Sequence, residues 1–156
     1  LNGNEATFSL ASQGVYVFPF GSAFNDQGWA VEITSSIPVS LSVDSGVSTA
    51  TMDLSGMTIS NLDVNMGLGN LMITLPQKGN VNAQIDGGIG NLTVAIPKDT
   101  AVRIEMDGWL GNTNVSSQYT HEGSFYQSAN YSLTGDHLDL KIGGGIGNVR
   151  VIQSAE

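Results

Sequence analysis

Gly67-Leu68-Gly69-Asn70-Leu71 returns 21 residues later as Gly88-Ile89-Gly90-Asn91-Leu92, and after 21 more as Trp109-Leu110-Gly111-Asn112-Thr113. One period upstream, Gly46-Val47-Ser48-Thr49-Ala50 is a weaker copy. The last copy, Gly145-Ile146-Gly147-Asn148-Val149, follows the third by 36 residues, one period plus an insertion of 15. Self-similarity at a fixed period of this size marks stacked structural repeats, each too small to bury its own apolar face.

Aligning the chain at this period produces columns. Two apolar ones run Leu41, Leu62, Ala83, Ile104, Leu140 and Val43, Val64, Ile85, Met106, Ile142. Two more run Val47, Leu68, Ile89, Leu110, Ile146 and Met52, Ile73, Val94, Val115, Val151. Polar columns such as Ser42, Asp63, Gln84, Glu105, Lys141 lie between them. Apolar-polar alternation is the pattern of a strand with one buried face, so the apolar columns are the candidate core.

Each repeat reads as a short strand, a tight Asp-Gly-Gly turn, an apolar step, a Gly-Asn corner and a second strand. Segments such as Leu75-Pro76-Gln77-Lys78-Gly79 close it, because Pro and Gly do not continue a central ladder. Antiparallel hairpins would not place like residues in register at a constant offset. The offset instead predicts an all-β, single-stranded right-handed parallel β-helix (a solenoid) with a 21-residue rung, each rung about 4.8 Å from the next. Asn70, Asn91 and Asn112 are then expected on successive rungs, with the copy at Asn148 last.

The expected organisation is one solenoid domain over residues 1–156. Residues 1–38 read as degenerate N-terminal capping rungs, because Phe8 and Leu10 lie one period before Trp29 and Val31 in the columns of Leu71 and Ile73. Residues 39–122 are regular rungs, 123–137 an insertion loop and 138–152 the final rung.

Composition excludes several functions. Five Lys plus Arg against 14 Asp plus Glu leave a net charge of −9, which repels phosphate backbones and anionic membrane surfaces. No nucleic-acid partner is expected. Charged residues make up only 12% of the chain while Gly numbers 20 and Asn 13, a poor composition for helical surfaces. The absence of Cys excludes disulfides and thiol chemistry. No apolar run reaches the roughly 20 residues of a membrane span. The chain opens at Leu1, as expected if a signal peptide or membrane anchor once preceded it.

Among the polar columns, Asn70, Asn91, Asn112 and Asn148 read as a structural ladder. A stacked amide donates to one neighbour and accepts from the other, satisfying a buried group internally. Asp44, Asn65, Asp86 and Asp107 precede the Gly-rich turns and read as turn chemistry. If Asp86 and Asp107 stack, their like charges invite a cation, which makes them the weak metal candidates. His121-Glu122 and Asp136-His137 bracket the insertion as further candidate ligands without a demanding spacing. The Gly clusters recur four times with no helix following, unlike a phosphate loop. No Gly-x-Ser-x-Gly elbow is present. No catalytic residue and no cofactor is expected.

Residues 118–137, the stretch that departs from the repeat around the insertion, carry Tyr119, Phe125, Tyr126 and Tyr131, four of eleven aromatics. Concentrated aromatics in a long loop suit an interaction surface. The alternative is that the rings fold back over the adjacent rung.

Taken together, Met52-Asp53-Leu54-Ser55-Gly56, Asn65-Met66-Gly67-Leu68-Gly69-Asn70 and Gly143-Gly144-Gly145-Ile146-Gly147-Asn148 resemble the toastrack domain. That domain forms the C-terminal part of LiaF-type proteins of the bacterial cell-wall stress response. The aromatic insertion from Tyr131 into Leu138-Asp139-Leu140-Lys141-Ile142 is similar to the family pattern, and the resemblance covers about residues 38–152. It implies a non-enzymatic interaction or sensory module of the cell envelope, membrane-anchored or extracytoplasmic. Attachment would run through a segment outside this chain, and the partner would be an envelope signalling protein. The alternative is a carbohydrate-binding or adhesive cell-surface module.

Overall fold

The computed structural model describes residues 15–18, 29–33 and 37–154. Among them there is no helix, and twelve strands form one curled, mostly parallel sheet. Phe8, Leu10 and most of the expected capping segment lie outside the described residues.

Two long strands organise the molecule. β3 (Val39–Asp53) and β4 (Ile59–Thr74) pair in parallel from end to end, Leu41 opposite Leu62 and Met52 opposite Ile73. Past β4 the sheet splits at the glycine corner. The first half of β4 pairs with β5 (Asn80–Asp86), and the second half with β6 (Ile89–Ile96). Both pairings keep the offset of 21, Val64 opposite Ile85 and Asn70 opposite Asn91.

Beyond this point the spatial order departs from chain order. β7 (Val102–Met106) and β8 (Trp109–Val115) are not the next neighbours. β11 (His137–Gly143) lies between β5 and β7, and β12 (Gly145–Gln153) lies between β6 and β8. The expected stacking of Asn112 directly on Asn91 is therefore corrected: Asn148 stands between them. The insertion supplies the reach for the chain to come back inside its own previous pass.

Packing explains why this order is favoured. The corner column runs Gly46, Gly67, Gly88, Gly145, Trp109. A Cβ on Gly67 or Gly88 would collide with the carbonyl oxygen of the glycine one strand earlier. In chain order Trp109 would fall mid-column, between two backbones with no room for a ring. At the outer end it has one neighbour to satisfy. Its ring lies against Gly87 and Gly145, and its indole N–H donates to the Gly147 carbonyl at 3.2 Å.

A comparable exchange occurs at the other end. β1 (Val15–Phe18) pairs with β3, Val17 opposite Met52, and β2 (Trp29–Glu32) pairs with β1. Val31 is thus opposite Val17 and stays in the column of Met52 and Ile73, with Val17 between it and Met52.

The core is the stack of inward columns. Met52, Ile73, Val94 and Val151 form one, and Val64, Ile85 and Ile142 another, all at most 2% exposed. Each such aliphatic contributes about 1.5–3 kcal/mol by leaving water. The insertion supplies a hairpin, β9 (Thr120–Glu122) and β10 (Phe125–Gln127), and β10 pairs antiparallel with β7. It covers a β7 edge that would otherwise present unpaired backbone groups. The hairpin also straddles the boundary expected at residue 123.

The strand order is open to a direct test, since the chain has no native Cys. Asn91→Cys with Asn148→Cys should form a disulfide on mild oxidation, because neighbouring strands bring Cα atoms within bridging range. Asn91→Cys with Asn112→Cys should not, because one strand intervenes. Gel mobility with and without reductant reads the difference.

Candidate functional site

The two sheet halves present different outer faces. On the half built from β3, β4, β6, β12 and β8, the row Val47, Leu68, Ile89, Ile146, Leu110 points outward. These side chains are 46–72% exposed. The expectation that this apolar column joins the core is corrected. The Gly-rich step at Gly67, Gly88 and Gly145 is the reason: Met66 before it is buried, while Leu68 two residues on is 46% exposed. The alternation changes phase there and then runs on unbroken, Leu68, Asn70 and Met72 out and Leu71 and Ile73 in, through Gly69, Gly90, Gly147 and Gly111, whose φ lies between 132° and 147°.

Two residues along, on the same outer face, runs the asparagine file. Asn91 donates to Asn70 at 2.6 Å, Asn148 to Asn91 at 2.7 Å, and Asn112 to Asn148 at 3.0 Å. All four are exposed, not buried as the ladder was expected to be. A third row carries Met72, Thr93, Arg150 and Asn114. Arg150 is the one charged residue across these three rows, in a chain of net charge −9. Contiguous exposed aliphatic surface without charge is uncommon on a solitary domain and marks contact surfaces.

The half built from β3, β4, β5, β11 and β7 is polar outside. One row runs Ser40, Asn61, Asn82, Asp139, Arg103 and its neighbour Ser42, Asp63, Gln84, Lys141, Glu105. Arg103 meets Asp139 at 3.2 Å, and Lys141 meets Glu105 at 3.8 Å. The rows flank an open trough of about 380 Å³.

The expected stacking of Asp86 on Asp107 does not occur, because β11 separates their strands and Gly143 is opposite Asp86. Asp86 accepts from the Gln84 amide at 2.8 Å, and its carboxylate leans over Gly143, where a Cβ would collide with it. Asn65 donates to Asp44 at 2.9 Å and to Asp63 at 3.1 Å, so amides satisfy this column locally. His121 stacks on Tyr126 with ring centroids 4.5 Å apart, while His137 lies 3.8 Å from Asp139. Among the described residues no three His, Asp or Glu side chains gather as metal ligands.

The four insertion aromatics divide. Tyr119 is buried in the core cluster and Tyr126 packs against it. Burial pushes the Tyr119 phenol above its usual range, and a hydrogen bond with Gln118 acts the other way. Phe125 and Tyr131 are half-buried beneath the Arg103 guanidinium, at 5.9 and 5.4 Å from the ring centroids. Tyr131 donates to Asp139 at 2.7 Å.

Residues 1–95 match the model of the N-terminal domain of toast_rack, DUF2154. This chain belongs to the toast_rack family. The matched span takes in β1 to β5 and nearly all of β6, including the Met52–Gly56 and Asn65–Asn70 motifs. The toast_rack chain is also similar to a crystal structure of "a putative cell adhesion protein" from Clostridium sporogenes. Their sequences are 26% identical with a TM-score of 0.75 over 86% of this chain. The chain spans 66% of that protein's length. Among curated proteins, no match was found.

Exposure separates the roles of corner and ladder in stability. Asn91→Ala should cost only about 0.5–1 kcal/mol, because water replaces the lost amide partners. Gly90→Ala should cost about 3 kcal/mol, since φ is +147° and the new Cβ would meet the Gly69 carbonyl oxygen. Denaturant midpoints of the two variants should differ accordingly.

Proposed function

We propose that this toast_rack domain is a non-enzymatic interaction and sensory module of the bacterial cell envelope, acting in an envelope-stress response through protein–protein contact. We read its architecture as a single-stranded right-handed parallel β-helix of 21-residue rungs, supported by parallel pairings that hold this offset from β3 to β6. The observation that carries the function is the exposed row Val47, Leu68, Ile89, Ile146, Leu110 on a nearly uncharged face. A rigid sheet presents these side chains at fixed spacing, so a partner buries them at little conformational cost.

Family membership supports a module without chemistry of its own. No helix among the described residues is long and apolar enough to cross a membrane. On this reading the domain is held at the membrane by a segment outside this chain. A second reading is an adhesive or carbohydrate-binding surface module, and its adhesive part is supported by the likeness to the Clostridium sporogenes "putative cell adhesion protein".

Leu68→Asp with Ile89→Asp tests the contact reading. Both side chains are exposed, so the melting temperature should hardly change. Capture of a specific protein from solubilised envelope should fall at least tenfold. Undiminished capture by the folded double variant would remove the aliphatic row as the contact surface.

A further inference from the structure

We infer that the trough on the polar half of the sheet is a binding site for a neutral linear glycan. This names the ligand class and place for the second of the two readings above, and it is independent of protein contact through the aliphatic row.

The trough crosses five strands, so four strand spacings give it a length of about 19 Å. The middle of its floor is the backbone of Leu62, Ala83 and Leu140, whose strands β4, β5 and β11 are each paired on both sides there. An extended peptide therefore cannot add as a further strand there, because the ladder has used the main-chain groups. Recognition has to come from the side chains of the walls.

Those walls are chemically selective. The cations Arg103 and Lys141 are each already matched to a carboxylate across a strand boundary. No surplus positive charge remains to hold a phosphate, sulfate or uronate polymer, and the chain as a whole repels one. The neutral groups are differently placed. Asn61 and Asn82 stand opposite each other on adjacent strands, as Asn70 and Asn91 do, yet they make no side-chain hydrogen bond among the described residues. The Ser40 and Ser42 hydroxyls are likewise without a protein partner there.

The same residue type in the same register is thus zipped shut on one face and open on the other. Open amides and hydroxyls repeated at the strand spacing offer donors and acceptors in the pattern that sugar hydroxyls require. An extended β-linked hexopyranose chain advances per sugar by nearly the strand spacing of about 4.8 Å, so successive sugars meet successive strands. At the far end of the row, Arg103 is held between its ion pair with Asp139 and the Phe125 and Tyr131 rings, which makes that wall rigid.

Calorimetric titration of the domain with cellotetraose and with chitotetraose tests the proposal, alongside tetragalacturonate as an anionic chain of equal length. Saturable binding of at least one neutral tetrasaccharide, at least tenfold tighter than the uronate, is expected. Asn61→Ala with Asn82→Ala alters exposed side chains and should leave the melting temperature unchanged while weakening that binding about tenfold or more. Leu68→Asp with Ile89→Asp should bind the glycan as the parent does, which separates this site from the protein-contact face. Failure of both neutral chains to bind, equal binding of the uronate, or wild-type affinity in the folded Asn61/Asn82 double variant would each overturn it.

Discussion

The close approach of main chains at the glycine corner governs this molecule. Along Gly69, Gly90, Gly147 and Gly111 every residue takes a positive φ, and a side chain on Gly90, Gly147 or Gly111 would occupy the place of a neighbouring carbonyl. Only glycine meets both demands. Because the corner recurs in register, the strands on either side are aligned by it. The inward columns then fall on one another without further adjustment. A slip of one residue would turn the whole core out to water.

The corner also divides the surface. Before Gly67, Gly88 and Gly145, Val64, Ile85 and Ile142 face the core; four residues on, after that step, Leu68, Ile89 and Ile146 face solvent. One sheet half therefore carries a flat apolar and amide face with a single charge. The other carries paired charges and open amides around a trough. Both faces are regular because both inherit the spacing of a parallel ladder, and regular surfaces suit extended or repetitive partners.

The toast_rack assignment and the all-β architecture have the same origin. Strands that lie over their own copies preserve the repeat, and the repeat is what the family motifs record. The insertion follows a different logic. Its residues close the β7 edge with an antiparallel hairpin, and Tyr119 enters the core. Its aromatics contribute packing as well as exposed area.

The amino-acid sequence by itself determined the period, the parallel register of like residues, the apolar columns and the position of the corners. These are local properties, set by side-chain volume, alternation and the backbone freedom of glycine. Tertiary structure alone decided the order of strands, because a periodic column looks the same whichever copy is adjacent. The 15 extra residues gave the chain enough reach to fold its last pass inside the previous one, and the bulk of Trp109 in a glycine column favoured that choice. Strand order in turn separated Asp86 from Asp107 and placed Asn148 between Asn91 and Asn112. Which way the aliphatic row faces was equally hidden, since the alternation changes phase at the Gly-rich step just before it, between Met66 and Leu68, without a break in the hydrophobic pattern.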